Sequence, residues 1–209
     1  MRILDISQPV GRATAVWPGD PPVELVWSQR RDRGDVVNAA TITLGVHAGT
    51  HVDGALHLRD AAPGAGATSL EPFIGPARVV DARGFVPLDE RILEAADLSG
   101  AERVLFRTRE SVDPRRFPHG FTAIAPGLAR RLAAAGVRLV GTDAPSVDPE
   151  ESVSLEAHDA LLAGGVAILE NLVLDGIAPG DYFLVALPLR LEEADSSPVR
   201  AVLLEGTTL

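Results

Sequence analysis

Residues 46–58 read V-H-A-G-T-H-V-D-G-A-L-H-L. Within eleven positions, from His47 to His57, they hold three of the chain's five histidines, His47, His51 and His57, together with Asp53. All four lie at odd positions, so an extended backbone points them to one side, and a turn at Ala48-Gly49-Thr50 gathers them further. The His-x-x-x-His spacing also fits one helical face, but Gly49, Thr50, Val52 and Gly54 are poor helix formers. The stretch therefore reads as the end of a strand running into a tight loop. Imidazoles and a carboxylate at this density suit a Zn²⁺- or Mn²⁺-type ion. A polar loop whose histidines merely hydrogen-bond is the alternative, but a loop so rich in ligands has little structural use.

Upstream, Ile42, Leu44 and Val46 alternate with Thr41, Thr43 and Gly45, the period of a half-buried strand over 37–46. Residues 3–6 and 23–28 also read as strands. Between them V-W-P-G-D-P-P, from Val16, is a turn-rich segment, and Trp17 on it reads as a hydrophobic plug in preference to a pocket lid. Downstream, 61–67 (A-A-P-G-A-G-A) reads as a flexible surface segment. Strands are expected at 77–82, 103–108, 137–141, 166–169, 181–189 and 199–204. Helices are expected at 89–98, at 126–135, where Pro126 opens and Gly136 closes the pattern, and at 154–162. The result is one strand-rich mixed α/β domain spanning 1–209, with helices mainly in the second half.

Composition narrows the chemistry. The chain of 209 residues carries a formal charge of −10, which argues against nucleic acid as a partner. It has no cysteine, which excludes thiol nucleophiles, disulfides and thiolate metal sites. All nineteen basic residues are arginine, which excludes P-loop and Schiff-base lysines. The N-terminus lacks a signal-peptide core and no run reaches the length of a membrane span, so a soluble cytoplasmic protein is expected.

Two later residues bear on the early cluster. His158 lies on the expected helix with Leu155, Leu161 and Leu162 on its face; by spacing alone it is a satisfied core histidine. Glu170 ends the apolar run V-A-I-L, where a buried carboxylate needs a cation or an arginine beside it. Added to the opening stretch, these give three histidines and two carboxylates as ligands with His57 to spare. That inventory fits two ions, provided that Asp53 or Glu170 bridges them.

H-A-G-T-H-V-D-G-A-L-H resembles the His-x-Gly-Thr-His-x-Asp-x-Pro-x-His signature of the cyclase-type metal-dependent hydrolases. The resemblance extends over most of the chain through W-P-G-D-P, G-T-D-A-P-S-V-D-P, A-H-D followed by A-I-L-E-N, P-G-D-Y-F-L-V-A-L-P-L and S-P-V-R-A-V-L-L. It implies a swivelling β/β/α fold, a homodimer, and hydrolysis of N-formyl-L-kynurenine to L-kynurenine and formate in tryptophan breakdown. It further implies His47, His51 and Asp53 on one zinc, Asp53 and Glu170 bridging to a second zinc completed by His158, His57 as acid/base residue and Trp17 in the substrate pocket. The assignments of His158 and Trp17 reverse the readings made for them from spacing alone. The donor set itself suits Zn²⁺, Mn²⁺ and Co²⁺ alike. Ala55 stands where the signature has proline, and with Gly54 before it this predicts a looser loop around His57. His119 matches nothing in the signature and reads as a surface residue. The same site would serve opening of a cyclic amide such as isatin, and a metal-binding protein without catalysis is the alternative of another class, against which His57 argues.

Overall fold

The computed structural model describes residues 1–206. Nine strands form one sheet in the order β1 (Arg2–Asp5), β11 (Val202–Glu205), β9 (Gly180–Val185), β5 (Ile74–Asp81), β6 (Arg103–Arg107), β7 (Leu139–Thr142), β8 (Ala167–Glu170), β4 (His51–Asp53) and β10 (Ser196–Pro198). The centre, β5 to β8, is parallel, and both edges are antiparallel. The parallel crossovers carry α1 (Ile92–Ala95), α2 (Pro126–Ala134) and α3 (Glu156–Ala163), all packed on one face.

Strand periodicity divides the core in two. Val80, Val104, Val140 and Ile168 face the helices, with Leu128 and Leu132 of α2 and Leu161 of α3 opposite them. Their neighbours Val79, Leu105, Leu139 and Leu169 face the other way, into a cluster with Ile6, Val52, Phe73, Leu184 and Leu203. Val52 lies on β4 and Leu203 on β11, near opposite ends of the strand order, so the sheet curls until its two wings share one core. This is why the central strands read as continuous apolar runs rather than alternating ones. The architecture is a single mixed α/β domain, strand-rich, as the sequence implies.

Three local expectations change. The alternating run at 37–46 yields β3 (Ala39–Thr43), which pairs with β2 (Glu24–Gln29) in a separate two-stranded ribbon. Ile42 there is 46% exposed and Val26 59%, so the strand is not half-buried in the domain core. Period-two patterning marks a two-faced strand but not what covers its apolar face. The expected helix at 89–98 is the single turn Ile92–Ala95; Asp97 accepts the backbone N–H of Ser99 and turns the chain. The segment 61–67 is not a loose surface run. Ala65 is buried and donates its N–H to Ala194 O, Gly66 donates to Leu191 O, and a Cβ on Gly64 would lie 2.4 Å from Glu192 O. The small residues there permit backbone-to-backbone contact.

Candidate metal centre and active site

The turn at 46–50 precedes β4, so His51 and Asp53 lie on a strand rather than in the loop after one. On β4 they share a face, as their odd spacing requires. Gly49 holds φ +70°, and a Cβ there would meet Val10 Cγ2 at 2.8 Å. Thr50 is buried, donates its hydroxyl to Asn171 O at 2.6 Å and accepts Gln8 N–H at 2.8 Å, which pins the turn. The turn folds His47 back over the strand. β8 lies antiparallel to β4 with Glu170 directly opposite His51, which puts the two side chains on one face. α3 brings His158 to the same point from the helical layer.

These five side chains meet. His47 Nδ1 is 3.2 Å and His51 Nε2 3.6 Å from Asp53 Oδ1; His158 Nε2 is 3.4 Å from Asp53 Oδ2 and 3.4 Å from Glu170 Oε1. Asp53 thus turns one oxygen to His47 and His51 and the other to His158. His51 Nε2 also lies 3.3 Å from Glu170 Oε2. Ligands at about 2.0–2.1 Å from a tetrahedral zinc are about 3.3 Å apart, the spacing seen here. Among the described residues, the buried atoms His51 Nε2, Asp53 Oδ1 and Asp53 Oδ2 have no hydrogen-bond partner. Leaving three such atoms dry and unpaired costs several kcal/mol unless a cation satisfies them. The donor chemistry, the spacing and the orphaned atoms therefore fit divalent metal. The sets His47/His51/Asp53 and Asp53/His158/Glu170 each bring their donor atoms within 4.8 Å of one another.

The remaining imidazole nitrogens are engaged as metal-bound histidines require. His51 Nδ1 bonds Gly49 O at 2.9 Å, His158 Nδ1 bonds Asp148 Oδ2 at 2.7 Å, and His47 Nε2 bonds Asp195 Oδ2 at 2.8 Å. Asp148 also accepts the backbone N–H groups of Ala157 and His158, so one carboxylate caps α3 and aims its histidine. Electrostatics reports the same concentration of negative charge. Burial acts to lower the His158 pKa, yet the carboxylates of Asp148, Asp53 and Glu170 push it up to about 12. His47 is likewise raised to about 9 by Asp53 and Asp195 against its burial. Burial acts to raise Asp53, but His158 and His47 hold it well below the usual carboxylate range. Imidazolium charge and metal charge are alternative ways to balance these carboxylates.

A cavity of about 400 Å³ opens over the cluster, reached by His47, His51, His57, His158 and Glu170 at its floor. His57 sits on a short 3₁₀ turn, Ala55–His57, with its ring 4.5 Å from that of His47 and 5.7 Å from that of His158. The loop is not loosened by Gly54. Gly54 N–H donates to Asp195 O at 2.8 Å, and a Cβ there would lie 2.9 Å from that oxygen, so glycine is what lets the segments touch. Trp17 lines the cavity wall and meets Phe117 edge-on at 5.3 Å between ring centroids. It is a wall rather than a core plug. His119 is exposed and pairs with Glu150 at 2.9 Å, away from the cluster. Asp148 and Asp195 escape the sequence reading. Asp148 lies inside G-T-D-A-P-S-V-D-P and Asp195 just before S-P-V-R, and proximity to those motifs was the available signal.

A curled sheet carrying buried histidine and carboxylate donors beneath an open pocket defines a metal-dependent hydrolase. The family described as "Putative cyclase" matches residues 4–149. Kynurenine formamidases from Salinibacter ruber and Bordetella avium are 46% and 45% identical, over 97% and 98% of this chain and of their own lengths. A solved structure of a potential metal-dependent hydrolase with cyclase activity superposes with a TM-score of 0.83 at 27% identity, covering 97% of this chain and 96% of that one. Isatin hydrolase A from Ralstonia solanacearum shares the fold, with a TM-score of 0.82 at 22% identity over 98% of this chain and 92% of its own. The chain belongs to the cyclase family and, within it, to the kynurenine formamidases.

Proposed function

We propose that this protein hydrolyses N-formyl-L-kynurenine to L-kynurenine and formate, using two zinc ions. His47, His51 and Asp53 would hold one; Asp53, His158 and Glu170 would hold the other. The observation that carries this reading is Asp53, whose two orphaned, buried oxygens face separate histidine groups. Cations held here supply Lewis acidity, lowering the pKa of water to about 7 and offsetting negative charge that develops on the formyl oxygen. The protein does the rest. His57, with Nδ1 bonded to Asp195 Oδ2 at 2.9 Å, keeps Nε2 for proton transfer. It takes a proton from the attacking water and returns it to the arylamine nitrogen as the C–N bond breaks. Trp17 packs against the substrate ring, an aromatic contact contributing about 1 kcal/mol. Trp17→Ala accordingly raises KM more than it lowers kcat in steady-state assays; an unchanged KM would return Trp17 to a purely structural part.

The pocket rim favours an amino-acid tail. Arg116 and Asp20 both line the cavity, one of each sign, and both are exposed. A zwitterionic α-amino acid matches that rim, whereas isatin carries neither charge. Parallel assays of formylkynurenine, a formanilide lacking the tail, and isatin test the reading. Formylkynurenine is expected to have the highest kcat/KM, and a preference for isatin would overturn it. The reading extends to a homodimer in the cytoplasm. Support for the dimer comes from the β2–β3 ribbon, where Trp27 and Ile42 are exposed on one face and Val26 on the other, apolar side chains of the kind that protein contacts cover.

A further inference from the structure

His57 and His47 converge on a single atom. Asp195 Oδ2 lies 2.9 Å from His57 Nδ1 and 2.8 Å from His47 Nε2. These separations are those of direct charge-assisted hydrogen bonds, shorter than the roughly 3.3 Å between neighbouring ligands of one zinc ion. The trio His47, His57 and Asp195 is thus a hydrogen-bonded relay rather than a third metal position.

The consequences differ for the two rings. A carboxylate only accepts, so both rings must donate to it. His47 then carries its proton on Nε2 and directs the lone pair of Nδ1 toward Asp53 Oδ1, 3.2 Å away. His57 carries its proton on Nδ1 and keeps the Nε2 lone pair for substrate chemistry. In a free neutral imidazole side chain the Nε2–H tautomer is the more stable. His47 therefore needs little help, whereas His57 is held in the tautomer it would otherwise disfavour.

The carboxylate is well placed to do this because its backbone is fixed to the loop it serves. Asp195 immediately precedes β10, whose pairing with β4 sets Ser196 opposite Asp53. Asp195 O accepts Gly54 N–H at 2.8 Å, Ala194 O accepts Ala65 N–H at 2.8 Å, and Leu191 O accepts Gly66 N–H at 3.0 Å. Ser196 Oγ donates to Val52 O at 2.7 Å. Segment 191–196 and the loop bearing His57 are thus tied together by backbone hydrogen bonds.

We propose that Asp195 is a positioning residue that, through one oxygen, fixes the tautomers of both the acid/base histidine and a metal-ligand histidine. The proposal rests on the reading of His57 as the acid/base residue. It is tested with Asp195→Asn and Asp195→Ala in the zinc-loaded protein. ¹⁵N NMR of the imidazoles should show His57 as the Nδ1–H tautomer in the parent and shifted to Nε2–H in Asp195→Ala. Metal content should be retained, kcat should fall by about 10–100-fold, the range found for lost outer hydrogen-bond partners of metal sites, and KM should change little. Asp195→Glu should recover part of kcat. Adding Asp195→Ala to His57→Ala at saturating zinc should cost no further kcat, because Asp195 acts on proton transfer through His57 and on His47 only through the metal site. An unchanged His57 tautomer, or a kcat restored to parent level by excess zinc, overturns the proposal; the latter would make Asp195 a support of His47 alone. Full turnover in His57→Ala would instead refute the acid/base reading, a result the tautomer measurement does not share.

Discussion

Asp53→Ala is expected to lose both metal ions together, and with them all measurable formate release. Each proposed ion has three protein ligands, and Asp53 is the member common to both sets. Without it, His47 and His51 are left as one pair and His158 and Glu170 as the other, too few to retain a divalent ion in competition with water. The loss should exceed the roughly 10–100-fold in affinity that follows removal of an outer hydrogen-bond partner. Asp53→Asn sharpens the test. The asparagine side chain keeps the shape but offers one carbonyl oxygen and one NH₂ group, so it can serve only one side. It should retain at most one ion, whereas a variant with full metal occupancy refutes the bridging role. The fold should survive either change, since the Asp53 side chain makes no hydrogen bond among the described residues.

His57→Ala is the converse case. Its ring lies over the cluster, but its Nδ1 faces Asp195 at 2.9 Å, a hydrogen-bond distance. Metal content should therefore be unchanged while kcat falls by about 10²–10⁴-fold, the usual contribution of a positioned acid/base group. The arylamine leaving group makes this loss large, because C–N cleavage without protonation would expel an anilide ion. Elemental analysis beside steady-state kinetics separates the outcomes. Metal lost along with activity would move His57 into the ligand set.

How much of this was legible in the sequence depends on how local each feature is. The odd spacing of His47, His51 and Asp53 marks a shared face because a strand has period two, and a single turn at Gly49 adds His47. Glu170 was visible as an anomaly, a carboxylate closing an apolar run. His158 was not: on α3 its neighbours read as core, and its role depends on β8 and β4 being paired, which no local pattern encodes. Only resemblance to the cyclase signature grouped it with the cluster, where it lies 3.4 Å from Asp53 and from Glu170. Asp195 and Asp148 were less visible still. Acidic residues are common in this chain, and theirs acquire meaning only when a three-residue strand, β10, pairs with β4 some 145 positions earlier in the register Ser196 to Asp53. The ribbon β2–β3 failed in the other direction. Its alternation is genuine, but its apolar side faces outward rather than into the sheet's core. Gly54 shows the same limit. In isolation glycine means freedom, yet here it permits a close approach that holds the loop in place.

The central claim is that one carboxylate joins two cations. It is tested most directly by anomalous diffraction at the zinc edge from crystals of the zinc-loaded protein. The account predicts two peaks, one beside each oxygen of Asp53, with His47 and His51 at the first and His158 and Glu170 at the second. A single peak in a protein that releases formate at full rate, or two peaks of which only one touches Asp53, would contradict it.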